Sequence, residues 1–279
     1  MLTILVTGSQ GFIGSHLIKQ LKNYHVIVDF INSERINLNK IEDVMKIQKS
    51  DIVIHLAANT KKNAKWNEYY ENNVSTTKNI LEYCVAKKIK KFIFISSYLY
   101  GKPEYCPIDE NHPINPHNLY AKSKYLAEKV CESYAKTSNL NIIILRPFNI
   151  FGEKMNEGFL ISNLIKSTEN KKSISLINQD SKRDFLHVDD FIQLILKILK
   201  HDCKYEIFNV GSGKANSFKE IVEIVEKKSK KEINLILKED KKQFIDMICA
   251  DISKVSHKFN WKPKVTLTKG LEKCLLKNN

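Results

Sequence analysis

Tyr120 and Lys124 stand four residues apart in Tyr120-Ala121-Lys122-Ser123-Lys124. On a helix that spacing projects a phenol and an ammonium from one face. A free tyrosine, with a pKa near ~10, is a poor base at neutral pH. A neighbouring ammonium stabilises the phenolate and lowers that value, so the phenol can take a proton from a hydroxyl or give one to a carbonyl. At the start of the chain, Thr7-Gly8-Ser9-Gln10-Gly11-Phe12-Ile13-Gly14 follows an apolar run and opens a helical pattern. Gly8 permits a tight turn, Gly11 lets backbone approach a pyrophosphate, and Gly14 lets helix and strand pack closely. The helix start then offers N–H groups and partial positive charge to phosphates. Gly8, Gln10, Gly11, Phe12, Ile13 and Gly14 are therefore expected to bind a dinucleotide, whose positive nicotinamide ring adds to the effect of Lys124 on Tyr120. Asp29 closes the second apolar run near the distance of a residue that binds the adenosine ribose, which favours a free 2′-hydroxyl and hence NAD. Arg35 lies close enough to face a 2′-phosphate, which keeps NADP as the alternative. Ser96 and Ser97 end another apolar run, where a hydroxyl can hydrogen-bond the reacting oxygen.

The elements that must position these groups alternate along the chain. Apolar strands are expected at 2–7, 25–30, 51–57, 91–96 and 141–146, and helices at 14–21, 72–87 and 120–136. Short apolar strands separated by amphipathic helices imply a doubly wound parallel α/β sheet with helices on both faces. After about residue 148 the alternation loosens, leaving a helix at 159–167, the segment 183–200, a strand at 207–210 and a helix at 217–228. The expected organisation is a Rossmann-type domain over 1–147, with 181–212 returning to its sheet, and a smaller C-terminal substrate-binding lobe from 148–180 and 213–279.

Composition excludes several classes. The 279 residues are 43% hydrophobic and 27% charged, enough to bury a full core without staples. No apolar run spans a bilayer, and the first residues lack a basic leader, so no membrane association is expected. Six cysteines at 84, 106, 131, 203, 249 and 274 form no Cys-x-x-Cys pair and no zinc spacing, so no metal is expected. Scattered thiols suit a reducing, cytoplasmic setting. The net charge of +14 comes from lysines spread along the chain rather than interleaved with aromatics, so no nucleic-acid partner is expected.

Taken together, the motifs resemble the extended short-chain dehydrogenase/reductase family in its NAD-dependent epimerase/dehydratase branch. The similarity runs from the glycine turn through His55-Leu56-Ala57-Ala58, Asn73-Val74, Ser96-Ser97 with Tyr100-Gly101, and Tyr120-x-x-x-Lys124. It continues through Leu145-Arg146-Pro147-Phe148-Asn149, Arg183-Asp184-Phe185-x-His187, Asn209-Val210-Gly211-Ser212-Gly213, Ala250-Asp251-Ile252-Ser253-Lys254 and Trp261-Lys262-Pro263. The resemblance implies a catalytic triad of Ser96, Tyr120 and Lys124. It places Asn37 and Leu38 beside the adenine, Leu56, Ala57 and Ala58 along the cofactor, and Asn73 and Pro147 within cofactor-contacting stretches. Ser97, Asn149 and Arg183 fall at positions that hold substrate, the last two at the diphosphate of a nucleotide sugar, where a guanidinium fork meets phosphate oxygens in pairs. Relatives often dimerise through helices of the 72–87 and 120–136 type, so a homodimer is expected.

Departures narrow the reaction. Dehydratases of this family carry an Asp-Glu pair where this chain has Ser97-Tyr98. No carboxylic acid is then placed to eliminate water. An Arg-x-Gly-Asp stretch common in epimerases reads Lys241-Lys242-Gln243-Phe244 here. The stretch from Asp29 to Asp51 is short, which suits an exchangeable cofactor. The favoured expectation is a 4-keto-sugar-nucleotide reductase, ahead of a nucleotide-sugar 4-epimerase and of a non-catalytic dinucleotide or RNA binder.

Overall fold

A strand paired on both sides and covered on both faces needs apolar residues at consecutive positions, and 2–7 and 141–147 have that character. The computed structural model describes residues 2–22, 26–31 (backbone only), 36–170, 172–238 and 245–276. In chain order the first elements are β1 (Leu2–Thr7), α1 (Phe12–Leu21), β2 (Val26–Ile31), α2 (Ile41–Met45), β3 (Ile52–His55) and α3 (Trp66–Tyr69). A π-helical turn, Tyr70–Ser75, joins α3 to α4 (Thr76–Ala86), followed by β4 (Lys91–Ile95), α5 (Leu119–Thr137) and β5 (Asn141–Pro147). Then come β6 (Asn149–Phe151), α6 (Leu160–Asn170), β7 (Ile174–Ile177), β8 (Lys182–His187), α7 (Val188–Ile198) and β9 (Tyr205–Val210). The chain continues with β10 (Ala215–Ser217), α8 (Phe218–Ser229), β11 (Leu235–Lys238), β12 (Met247–Ile248), α9 (Ser253–Phe259) and α10 (Leu267–Leu276).

Two compact units emerge. The first comprises 1–102, 113–147 and 195–208. Its sheet runs β2-β1-β3-β4-β5-β9, and the β2-β1, β1-β3, β3-β4 and β4-β5 pairings are parallel. The expected doubly wound α/β sheet is present. Alternate strand residues Leu5, Val53, Phe92, Phe94, Ile142 and Ile144 join Ile80, Leu81 and Cys84 of α4 and Ala127 and Cys131 of α5 in one buried cluster. Their strand neighbours Ile4, Val6, Ile54, Ile93 and Ile143 are buried as well. The strands therefore read as continuous apolar runs rather than as alternation. β2 ends this sheet, and residues 36–51 supply only the short helix α2.

The second unit comprises 103–112, 148–194 and 209–279. β8 sits centrally in a small sheet, antiparallel to β10 and parallel to β12 and β6, while β7 and β11 form a parallel pair. An apolar cluster gathers Ile161, Leu164 and Ile165 of α6, Ile221, Val222 and Val225 of α8, and Leu271 and Cys274 of α10. A capping box starts α8: Glu220 N–H donates to Ser217 Oγ at 3.1 Å and Ser217 N–H to the Glu220 carboxylate at 2.7 Å. Of the stretch 181–212, expected to return to the large sheet, only β9 joins it. β8 instead pairs with β10, β12 and β6, which satisfy its backbone within the second unit. Among the described residues no helix is long and apolar enough to cross a membrane, and no cluster of metal-ligating side chains occurs.

Inside the first unit lies an ion pair that the sequence did not announce. Arg146 of β5 meets Glu128 of α5 through Nε at 3.0 Å and Nη2 at 2.6 Å, and its Nη1 donates to the Tyr100 hydroxyl at 2.9 Å. Both charged groups are buried. Removing one partner strands the other charge, whereas replacing both with apolar groups of similar volume does not. Glu128→Gln is expected to cost about 3–5 kcal/mol of unfolding free energy in denaturant titration, and Glu128→Leu combined with Arg146→Met to recover most of it. Equal losses in the single and double variants would refute this account of the pair.

Candidate active site

The glycine turn is built by close approach. Gly8 has φ +70, and a Cβ there would lie 2.6 Å from the Ala57 backbone nitrogen. A Cβ on Gly14 would lie 2.2 Å from the Gly8 carbonyl oxygen. Only hydrogen fits at either position, which is the packing a dinucleotide-binding turn requires. Gly11 begins α1 and supplies no side-chain cap to its first turn. Gln10, Phe12 and Ile13 complete the loop, with Phe12 edge-on to His16 at 5.6 Å between ring centres. Leu56, Ala57 and Ala58 follow β3 and are half-buried, and Leu56 N–H reaches back to Thr7 O at 3.2 Å. This cradle, with the free end of α1 behind it, fits a pyrophosphate.

On the adenosine side, Asp29 pairs in register with Leu5 through its backbone, while its side chain, Arg35 and 241–244 lie outside the described residues. Asn37 does local work: its Oδ1 accepts from Asn39 N–H at 3.0 Å, so its amide oxygen shapes the turn before α2. Leu38 packs against the core cluster, and its carbonyl accepts from Asn79 Nδ2 at 2.8 Å. Pro147 closes β5 and is buried.

The reactive groups meet at the carboxyl end of the sheet. Asn118 caps α5, its Oδ1 accepting from Ala121 N–H at 2.8 Å, and this fixes the entry of Tyr120 one residue into the helix. The Ser97 side chain lies near enough to Tyr120 to favour its phenolate. Ser96, expected as the catalytic serine, is buried, and its Oγ has no hydrogen-bond partner among the described residues.

The electrostatics also differ from the expectation for Tyr120 and Lys124. Burial pushes the Tyr120 phenol up to about 12, opposed by the nearby Ser97 side chain and reinforced by Tyr69, whose ring centre lies 6.0 Å away. Burial also lowers Lys124 to about 7, opposed by the negative potential of Cys131 and Glu128. Lys124 is buried with its Nζ over the Phe94 ring at 4.1 Å. At the phenol, desolvation outweighs the influence of the Ser97 side chain.

Asn73, expected at the cofactor, is wholly buried and committed to protein partners. Its Oδ1 accepts from Asn59 N–H at 2.7 Å, and its Nδ2 donates to Asn59 O at 3.2 Å and to Ser123 Oγ at 2.9 Å. The π-helical turn that carries it thus ties the segment after β3 to the helix bearing Tyr120. With both ends of the amide engaged, Asn73 fixes the position of this segment.

In the second unit, Asn149 donates to Asp184 O at 2.8 Å, and Arg183 Nη1 donates to Lys182 O at 2.8 Å and Ile245 O at 3.0 Å. The guanidinium lies over the Phe218 ring at 5.4 Å. Sequence reasoning passed over the residue that holds these two together. Asp184 is buried and accepts from Ser212 N–H and Oγ at 2.6 Å each, from Gly213 N–H at 3.0 Å and from Ala250 N–H at 3.1 Å. One carboxylate thereby gathers the Arg-Asp-Phe, Gly-Ser-Gly and Ala-Asp motifs. The signal was the carboxylate between Arg183 and Phe185 together with Gly211, where a Cβ would meet Asp184 Oδ2 at 2.4 Å.

Comparison with known proteins agrees with this geometry. The profile of the NAD dependent epimerase/dehydratase family matches residues 4–211. The "Putative UDP-glucose 4-epimerase" of Methanocaldococcus jannaschii is 33% identical over 99% of both chains. The structure of RMD from Pseudomonas aeruginosa complexed with NADPH superposes with a TM-score of 0.90 at 25% identity, covering 99% of this chain and 98% of the other. A mutant UDP-glucuronic acid 4-epimerase from Bacillus cereus, in complex with a fluorinated UDP-sugar and NAD, gives a TM-score of 0.87 at 27% identity over 99% of both chains. With the glycine cradle, the Tyr120/Lys124 helix and a match across most of its length, the chain belongs to the NAD-dependent epimerase/dehydratase family of enzymes.

Proposed function

We propose that the chain acts on a nucleotide-diphosphate sugar by hydride transfer at C4, in the reductive direction, as a 4-keto-sugar-nucleotide reductase using NADH, with NADPH as the alternative. The observation that carries this reading is the short adenosine side, where residues 36–51 supply only the helix α2, beside a Tyr120 phenol that its surroundings push up to about 12. A protonated phenol is ready to give its proton to a carbonyl oxygen that is gaining negative charge. The chemistry that a dinucleotide in the glycine cradle supplies when bound is the hydride for the C4 carbon. Tyr120 delivers the proton to the C4 oxygen, completing the alcohol. The Ser97 hydroxyl and the Lys124 ammonium stabilise the phenolate left behind, which regains a proton from solvent. Arg183 and Asn149 would hold the diphosphate. The short adenosine side, where β2 ends the sheet, supports a cofactor that exchanges on every turnover. A carboxylic acid for elimination is missing from Ser97-Tyr98, and the Tyr98 hydroxyl donates instead to Gly101 O at 2.7 Å, which speaks against dehydration.

The second reading is a nucleotide-sugar 4-epimerase, favoured by the full-length relative at 33% identity. There Tyr120 first removes the C4 hydroxyl proton and later returns it to the opposite epimer. In either case a second copy of the chain is the proposed partner, through α4 and α5, which expose Val85 and Leu126 at 42% and 38%.

Denaturing the purified protein separates the two enzymes. A reductase releases little dinucleotide and consumes added NADH or NADPH only with a 4-keto sugar nucleotide. Stoichiometric NAD released on denaturation, with turnover in its absence from the buffer, would establish the epimerase instead. Tyr120→Phe is expected to retain dinucleotide affinity and lose about 10²–10⁴-fold in kcat. Ser97→Ala should lower kcat by about tenfold or more and Ser96→Ala by less than Ser97→Ala; the reverse order would make Ser96 the hydroxyl that serves the phenol. Reduction that needs protonated Lys124 should lose kcat/KM on the alkaline side of a pKa of about 7 in the free enzyme. Lys124→Met should erase that limb, and its persistence would assign the titration to another group.

A further inference from the structure

His55 takes no part in the proton transfer proposed above, yet both of its nitrogens are engaged. It ends β3, is fully buried, and packs beside both Phe92 and Phe94, each 5.9 Å away between ring centres at 29° and 21°. Nδ1 is 2.7 Å from Thr7 Oγ1, and Nε2 is 3.1 Å from Thr77 Oγ1.

Counting protons fixes the direction of these bonds. The Thr77 hydroxyl lies 2.6 Å from the Asn73 carbonyl oxygen, which can only accept. The single hydroxyl proton goes there, so the Thr77 oxygen must accept from His55 Nε2–H. Burial and the Lys124 ammonium lower the ring to about 3, so it is neutral and Nδ1 carries no proton. Nδ1 then accepts from the Thr7 hydroxyl, whose oxygen accepts in turn from Ala57 N–H at 3.3 Å. The result is a one-way chain from Ala57 N–H through Thr7, His55 and Thr77 to the Asn73 carbonyl, each bond polarising the next.

The two ends of this chain are the parts of the cradle that must keep a fixed spacing. Thr7 immediately precedes Gly8, whose Cα faces the Ala57 nitrogen so closely that no Cβ fits. Asn73 holds the Asn59 backbone and reaches Ser123 on the Tyr120 helix. We propose that His55, as the neutral Nε2–H tautomer, is a positioning residue for the dinucleotide: it locks the glycine turn, the Leu56–Ala58 segment and the π-helical turn at one spacing. A ring serving only to fill space would need neither this tautomer nor the donor–acceptor polarity. The inference rests on the reading of this end of the sheet as a dinucleotide site.

The test uses the full chain. ¹⁵N NMR of histidine-labelled protein should show His55 with a protonated Nε2 and a bare Nδ1 at neutral pH and down to about pH 5. Affinity for NADH and NADPH is measured by fluorescence titration beside the thermal midpoint. His55→Phe keeps the stacked ring and removes both hydrogen bonds; it should weaken dinucleotide binding by about tenfold or more, with a smaller effect on kcat at saturating cofactor. His55→Asn, which keeps an acceptor near the Nδ1 position, and His55→Gln, which keeps a donor near Nε2, should each recover part of that affinity. The Nδ1–H tautomer, or unchanged affinity in all three variants with only the thermal midpoint lowered, would overturn the positioning role. Wild-type protein that binds neither dinucleotide would overturn the reading of the site itself, and with it this proposal.

Discussion

Parallel pairing in register brings the strand ends of the first unit to one line. Thr7 pairs with His55, His55 with Phe94, and Ile95 with Leu145. Part of what is proposed to act on a ligand there lies within a few residues beyond that line: Gly8 after β1, Leu56 after β3, and Ser97 after β4, while Tyr120 and Lys124 come from α5. A parallel sheet offers its carboxyl ends together on one edge, where loops are free to carry chemistry while the strands stay covered on both faces. The glycine turn is the sharpest expression of that constraint, because β1 and β3 are adjacent and the backbones leaving them touch.

What keeps these loops in place is polar rather than apolar. Arg146 joins β5 to Glu128 on the Tyr120 helix and to Tyr100 beyond β4. Asn73 joins the segment after β3 to the same helix, and Asp184 does the corresponding work in the second unit. Each of these groups is buried with its donors or acceptors met. A buried polar group left without its partner costs far more than the net gain of making the bond, so each tolerates few alternative arrangements. The unpaired Ser96 Oγ stands apart from this pattern.

Much of this was legible from the chain alone. Glycines between an apolar run and a helical pattern specify a turn, and Tyr120 with Lys124 specifies a helix face; the strands of the first unit fall within two residues of their expected bounds, because continuous apolar runs have few other homes. The second unit was read poorly for a physical reason. β6, β10 and β12 span two or three residues each, too short to carry a periodic signal, and β8 opens on three consecutive charged residues, Lys182, Arg183 and Asp184, which mask it as a strand. The choice between Ser96 and Ser97 and the state of Lys124 depend on direction and desolvation, and neither is written in spacing. That Asn73 ties two segments together was not visible, because a polar residue in a matching stretch gives no sign of which atoms it binds.

The turn that carries Asn73 has a mechanical consequence. An i→i+5 turn holds one residue more than an α-helical turn, so the segment upstream is rotated by about 100° relative to an uninterrupted helix. Tyr69, on the upstream side, faces the Tyr120 ring, while Thr77 and Ile80, downstream, face the interior. The bulge acts as a phase adjuster within a single rod, letting one end follow the contour of the sheet while the other aims an aromatic ring at the phenol. Losing one residue there would straighten the rod, and it could then satisfy its ends only one at a time.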